Sequence, residues 1–219
     1  MNRTLFFLAF LYSSSLTANA QQNSPAAQMM QRFSARMDEP VAAEIRFTFS
    51  GADRQGRALA SFEGLIYRQG SDYAMINDYA EVYACENTKW IYTVDNNEAI
   101  ILLHDPASVD LAENPLALFS TQLTKEYTLM DKPNSFVQKG QEVVEITLIP
   151  VQKSMPYSSI LLRINSQTLT PHSVKYNAKD GSWIEAVITQ YTPKSQPFST
   201  ERFTFSVEKH PEVYVTDLR

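Results

Sequence analysis

From Ala43 onward apolar and polar residues alternate. Ala43, Ile45, Phe47 and Phe49 are interleaved with Glu44, Arg46, Thr48 and Ser50. A period of two predicts a strand with one dry face and one wet face. The alternation returns at Val144, Ile146 and Leu148, at Ile160, Leu162 and Ile164, and at Phe203, Phe205 and Val207. Turn signals separate the runs: Asp95-Asn96-Asn97, Asp131 to Asn134, and Lys179-Asp180-Gly181. Ten or eleven strands at short spacing, with no repeated βα unit, predict a single antiparallel sheet. One helix precedes them. Ser24-Pro25 offers a cap followed by proline at the first helical position, and Ala26, Met29, Met30, Phe33 and Met37 recur at helical spacing until Glu39-Pro40. Residues 105–120 break the strand pattern, and Asn114-Pro115-Leu116-Ala117-Leu118-Phe119 opens like a short apolar helix.

The first twenty residues follow another pattern. Arg3 precedes an apolar run from Leu5 to Tyr12, and small polar residues lead to Ala18-Asn19-Ala20 before Gln21. Charge, short apolar run and A-x-A site in that order predict a secretory signal peptide over residues 1–20. The run is too short to span a bilayer of about 30 Å as a helix. Residues 21–219 then form one domain. Cleavage removes one of 19 Lys+Arg, leaving 18 against 24 Asp+Glu and a net charge of −6. An acidic chain is poorly suited to holding nucleic acid by its phosphates. Cys85 is the only cysteine, so the exported domain has no internal disulfide and depends on its core.

Catalytic constellations are missing from the sequence. His104, His172 and His210 lack metal-ligand spacing. There is no G-x-S-x-G, H-E-x-x-H or phosphate loop. Cys85 reads as a buried, inert thiol, and the scattered acids read as solvating charges. The expectation is no enzyme, no metal and no cofactor.

The aromatics are more informative: 12 Phe, 11 Tyr and 2 Trp. Several runs carry apolar side chains at consecutive positions, as in Leu65-Ile66-Tyr67 and Trp90-Ile91-Tyr92. Two arrangements account for this, a large sandwich core or a sheet curled round an apolar cavity that holds a lipid.

Taken in order, the segments resemble the LolA-like outer-membrane lipoprotein carrier family. They are the leader, the amphipathic helix, Glu63-Gly64-Leu65-Ile66-Tyr67-Arg68, Asp72-Tyr73-Ala74-Met75, and Asn87-Thr88-Lys89-Trp90-Ile91-Tyr92. Asn114 to Phe119 falls where that family has a lid helix, and Arg202-Phe203-Thr204-Phe205 and Val213 to Asp217 match its C-terminus. The family often has a basic residue and proline after the second strand, where the basic side chain helps hold the lid shut. Here Arg68 is displaced by about two positions and is followed by Gln69-Gly70-Ser71.

The resemblance implies an unclosed antiparallel β-barrel of ten or eleven strands with covering helices. It implies a monomeric periplasmic carrier, not a catalyst. Its ligands would be the acyl chains of lipoproteins, handed over by an inner-membrane lipoprotein-releasing transporter and delivered to an outer-membrane acceptor or the outer membrane itself. Phe47, Phe49, Leu65, Tyr67, Trp90, Tyr92, Leu116 and Phe119 are the candidate cavity residues, on aromatic strand faces or in the lid segment. A periplasmic lipid-binding sensor or adaptor with the same fold is the alternative function. For export, N-terminal sequencing of periplasmic protein should begin at Gln21; a mature chain retaining Met1 would overturn the leader.

Overall fold

The computed structural model describes residues 24–108, 119, 126–138 and 140–219; the leader, residues 1–20, lies outside them. The helix α1 spans Pro25–Asp38, with Pro25 in its first turn and the Ser24 hydroxyl accepting from Ala27 N at 3.2 Å. Its buried residues Ala26, Met30, Phe33 and Met37 form one stripe, each no more than 1% exposed.

Thirteen strands follow. They are β1 (Ala42–Ala52), β2 (Phe62–Gln69), β3 (Asp72–Asn77), β4 (Ala80–Cys85), β5 (Thr88–Thr93), β6 (Glu98–Leu103), β7 (Tyr127–Leu129) and β8 (Asn134–Gln138). Then come β9 (Gln141–Pro150), β10 (Tyr157–Asn165), β11 (Pro171–Ala178), β12 (Trp183–Lys194) and β13 (Tyr214–Asp217). They make one open sheet in the order β13-β6-β5-β4-β3-β2-β1-β12-β11-β10-β9-β7, with β8 also paired to β9. Three differences from the sequence expectation stand out. There are thirteen strands among the described residues, not ten or eleven, because β7, β8 and β13 are short. The β13–β6 pair is parallel. The segment around Phe203 and Phe205 is not a strand: Thr200–Phe203 and Val207–Lys209 are 3₁₀ turns. Its backbone bonds close locally, Arg202 N to Ser199 O and His210 N to Val207 O, while Phe203 and Phe205 are still buried.

The α1 stripe shares one core with Tyr73 of β3, Ala84 of β4, Tyr127 and Leu129 of β7, Ile146 and Leu148 of β9, and Ile160 and Leu162 of β10. Between β3 and β9 lie six inter-strand steps, about 29 Å if the sheet were flat. One helix about 10–12 Å across touches both regions only because the sheet curls round it. The architecture is therefore an unclosed, mainly β barrel with a helix on its inner face, as expected.

Close packing of this inner face accounts for Gly64. Phe47 pairs with Gly64 across β1 and β2, and a Cβ at position 64 would sit 2.3 Å from the Phe47 ring. Gly64→Ala should therefore cost about 1–3 kcal/mol in denaturant unfolding. Phe47→Leu in the same chain should recover much of that loss; additive losses in the double variant would show that the two residues do not compete for this space.

Candidate functional site

Registers decide which side chains share a face, because paired residues point the same way and neighbours along a strand point oppositely. From β1 to β6 one cross-strand row runs Ile45, Ile66, Met75, Val82, Ile91, Ile100. Every member is apolar. Ile45 belongs to the helix-packed core, and Ile66 and Val82 lean against it. Met75, Ile91 and Ile100 are half-buried and outside that core. Phe49 and Phe62 extend the apolar surface, stacked at 4.7 Å, and Tyr79 meets Phe62 edge-on at 5.5 Å. The row spans about 24 Å over its five inter-strand steps.

The next inner-face row is Ala43, Arg68, Tyr73, Ala84, Lys89, Leu102. It brings two cations inside: Arg68 is 9% exposed and Lys89 5%. Arg68 Nη1 donates to Met37 O at 2.6 Å at the end of α1, and Nη2 lies 3.2 Å from Asp38 Oδ1. Its guanidinium carbon is 6.0 Å from the centre of the Phe119 ring, which meets Phe33 edge-on at 5.8 Å. Arg68 thus ties the end of the helix to the sheet and meets the one described residue of the lid segment. Burial raises the pKa of the nearby Tyr191 phenol, with Arg68 and Arg36 pulling it the other way.

The opposite, outer face is apolar too. Tyr67, Ala74, Tyr83, Trp90 and Ile101 form one row, and Leu65, Ile76, Glu81, Tyr92 and Ala99 form the next. A C-terminal strap, residues 195–213, covers it. Phe205 lies 5.2 Å from Trp90, 5.3 Å from Tyr92 and 6.0 Å from Tyr83. Phe198 meets Tyr67 at 5.3 Å, and Arg202 stacks over Tyr67 at 4.4 Å. His210 packs on Phe205 and Tyr92, both at 4.4 Å, with its Nε2 3.4 Å from Glu81 Oε2. The Tyr83 hydroxyl donates to the same carboxylate at 2.8 Å. Burial first, then the bond and charge of Glu81, push the Tyr83 phenol well above its usual range. A cleft of about 230 Å³ opens between strap and sheet, floored by Ile76 and Tyr83 and walled by Arg202, Lys209 and His210.

The eight residues expected to line one cavity therefore divide. Phe47, Phe49 and Phe119 are on the inner side. Leu65, Tyr67, Trp90 and Tyr92 are on the outer face, because each lies one position from an inward neighbour and parity sends it across the sheet. Leu116 lies outside the described residues. The inner-face residues outside the expected cavity set are mostly aliphatic, Ile66, Met75, Ile91 and Ile100, together with Phe62 and with Arg68, which the sequence marked only as displaced from a family position. Ile66 and Ile91 sit directly beside the larger outward residues, Ile66 between Leu65 and Tyr67 and Ile91 between Trp90 and Tyr92. Cys85 is half-buried, not buried; burial first and then Asp72 and Glu86 push its thiol up, which leaves it a poor nucleophile. Among the described residues no cluster of His, Cys, Asp and Glu has the arrangement of a metal site. No helix there is long and apolar enough to cross a membrane.

No family model matches the sequence, and no curated protein does. The structure is similar to that of an uncharacterised conserved protein from Thermus thermophilus, with a TM-score of 0.57 at 9% identity over 88% of this chain and 98% of that one. The two share a fold. Weaker likenesses include a LolA superfamily protein from Nitrosomonas europaea, with a TM-score of 0.43 at 9% identity over 82% of this chain and 97% of that one. Another is the Mycobacterium tuberculosis lipoprotein LppX, with a TM-score of 0.45 at 9% identity over 80% of this chain and 99% of that one.

Proposed function

We propose that this protein is a periplasmic carrier that holds the acyl chains of a lipid or lipoprotein against the inner face of its open barrel. The observation that supports this reading is the unbroken apolar row from Ile45 to Ile100, half of it outside the helix-packed core. An acyl chain gains about 0.8 kcal/mol for each CH₂ removed from water. The half-buried Met75, Ile91 and Ile100 of that row offer such a chain an apolar surface without fixing its exact position. It is also the function that the resemblance to the LolA-like carrier family implies.

In that role the lipoprotein-releasing transporter of the inner membrane loads the groove, and an outer-membrane acceptor, or the outer membrane itself, empties it. The protein acts as a monomer after its leader is removed. Binding must stay reversible, so modest contact with many aliphatic groups serves better than a deep, tight pocket. Arg68, bonded to the end of α1 and set beside Phe119, is placed to hold the covering elements over the groove. No step breaks or forms a covalent bond.

Face-specific variants test the assignment with a fluorescent acyl probe. Met75→Glu and Ile91→Glu should each weaken probe binding at least tenfold, since a charge in the groove must be desolvated for the probe to seat. Thr48→Glu, on the outer face, should leave affinity unchanged. The thermal midpoint of each variant separates binding from folding. Equal losses from Thr48→Glu, or normal affinity in folded Met75→Glu and Ile91→Glu, would contradict the inner-face groove.

A further inference from the structure

The cleft on the outer face plays no part in carrying an acyl chain, and its chemistry runs against the rest of the molecule. The chain carries a net charge of −5, yet here Arg202, Lys209 and the imidazole of His210 line one small space. Arg202 and Lys209 are exposed and, among the described residues, neither makes an ion pair. Glu81, beneath the strap, is already engaged by the Tyr83 hydroxyl and by His210. The charges of Arg202 and Lys209 are therefore not consumed by that acid.

Arg202 and His210 are also held in place before any ligand arrives. The Arg202 guanidinium lies 4.4 Å from the centre of the Tyr67 ring and 6.0 Å from that of Phe198, while Tyr67 and Phe198 meet at 5.3 Å. Stacking on aromatic rings leaves the planar fork of an arginine free at its edge, the edge that matches phosphate oxygens. His210 is fixed by Phe205, Tyr92 and a bond between its Nδ1 and Ser206 O at 2.9 Å. Side chains ordered in advance lower the entropy cost of binding. Ser199, Thr204 and Ser206 add hydroxyls to the same walls.

Size and charge narrow the ligand. A volume of about 230 Å³ is below the roughly 300–1,000 Å³ that encloses a drug-sized molecule, so the occupant is one small group. Glu201 shares the lining and repels a multiply charged anion, which favours a group bearing one negative charge, as dihydrogen phosphate or a phosphodiester headgroup does. We infer that the cleft between the C-terminal strap and the outer face binds a phosphoryl group, either as free phosphate or as the headgroup of an anionic phospholipid. Binding on this face is independent of the acyl groove on the other.

Calorimetric titration with inorganic phosphate and sedimentation with phosphatidylglycerol vesicles, against phosphatidylcholine controls, distinguish the two sources. The mature chain and its Arg202→Gln and Lys209→Gln variants are compared; both positions are exposed, so folding should survive. Saturable phosphate binding that falls about tenfold in each variant supports the site with a free solute. Variant-sensitive sedimentation with phosphatidylglycerol alone supports it with a lipid headgroup. Absence of binding in both arms, or binding of undiminished strength in both variants, overturns it. Acyl-probe affinity should match the parent protein in both variants, so failure here and failure of the carrier reading are separable.

Discussion

Strands β2 to β6 carry apolar side chains on both faces, and at about 25 cal/mol for each Å² of apolar surface neither face can be left in water. The rest of the molecule answers that constraint. On the inner side α1 supplies Ala26, Met30, Phe33 and Met37, and the sheet curls until strands six steps apart share the helix as a common core. On the outer side the strap supplies Phe198, Phe203 and Phe205, and β13 then joins the edge of the sheet at β6. The barrel stays open because its two ends, β13 and the β7–β8 edge, do not pair with each other.

The two coverings differ in completeness. The outer aromatics Tyr92 and Phe205 are 8% and 4% exposed, and what remains open there is a small cleft with polar walls. On the inner face the helix buries one part of the sheet, while Met75, Ile91, Ile100, Phe49 and Phe62 stay half-buried. Apolar surface placed beside a finished core and aligned across six strands is suited to a flexible apolar guest. Away from this region the sheet behaves as an ordinary half-wet one. Across β9 to β12 the outer face carries Arg163 between Glu145 and Glu185, at 2.8 and 2.7 Å, with Ser173 also bonded to Glu185. That half needs no strap.

The helix, its cap, the turns and the antiparallel pairing were legible in the sequence, since each rests on local chemistry or period; the curl of the sheet was expected only from the family resemblance. Nothing local says which face of a sheet a helix covers, so the helix on the inner face was expected from the family resemblance alone. The strap misled for a specific reason: Phe203 and Phe205 keep the spacing of a strand while the backbone between Ser199 and His210 turns. The candidate site was half legible. In Leu65-Ile66-Tyr67 and Trp90-Ile91-Tyr92 all three positions are apolar, so alternation cannot say which points inward, and size favoured the aromatics. Cross-strand pairing resolves it in favour of Ile66 and Ile91. Arg68 was noted as displaced from a family position, yet its buried bond to Met37 O depends on a contact 31 residues away in the chain.

We propose that the inner face carries acyl chains in the cell. The most direct test is native mass spectrometry of the protein purified from the periplasm of its own source without added detergent. The account predicts bound species whose masses and fragments identify acyl-bearing lipids or lipoproteins, retained by the parent chain and depleted when Met75 and Ile91 are replaced by glutamate. A folded parent protein that emerges ligand-free from cells actively exporting lipoproteins would contradict it.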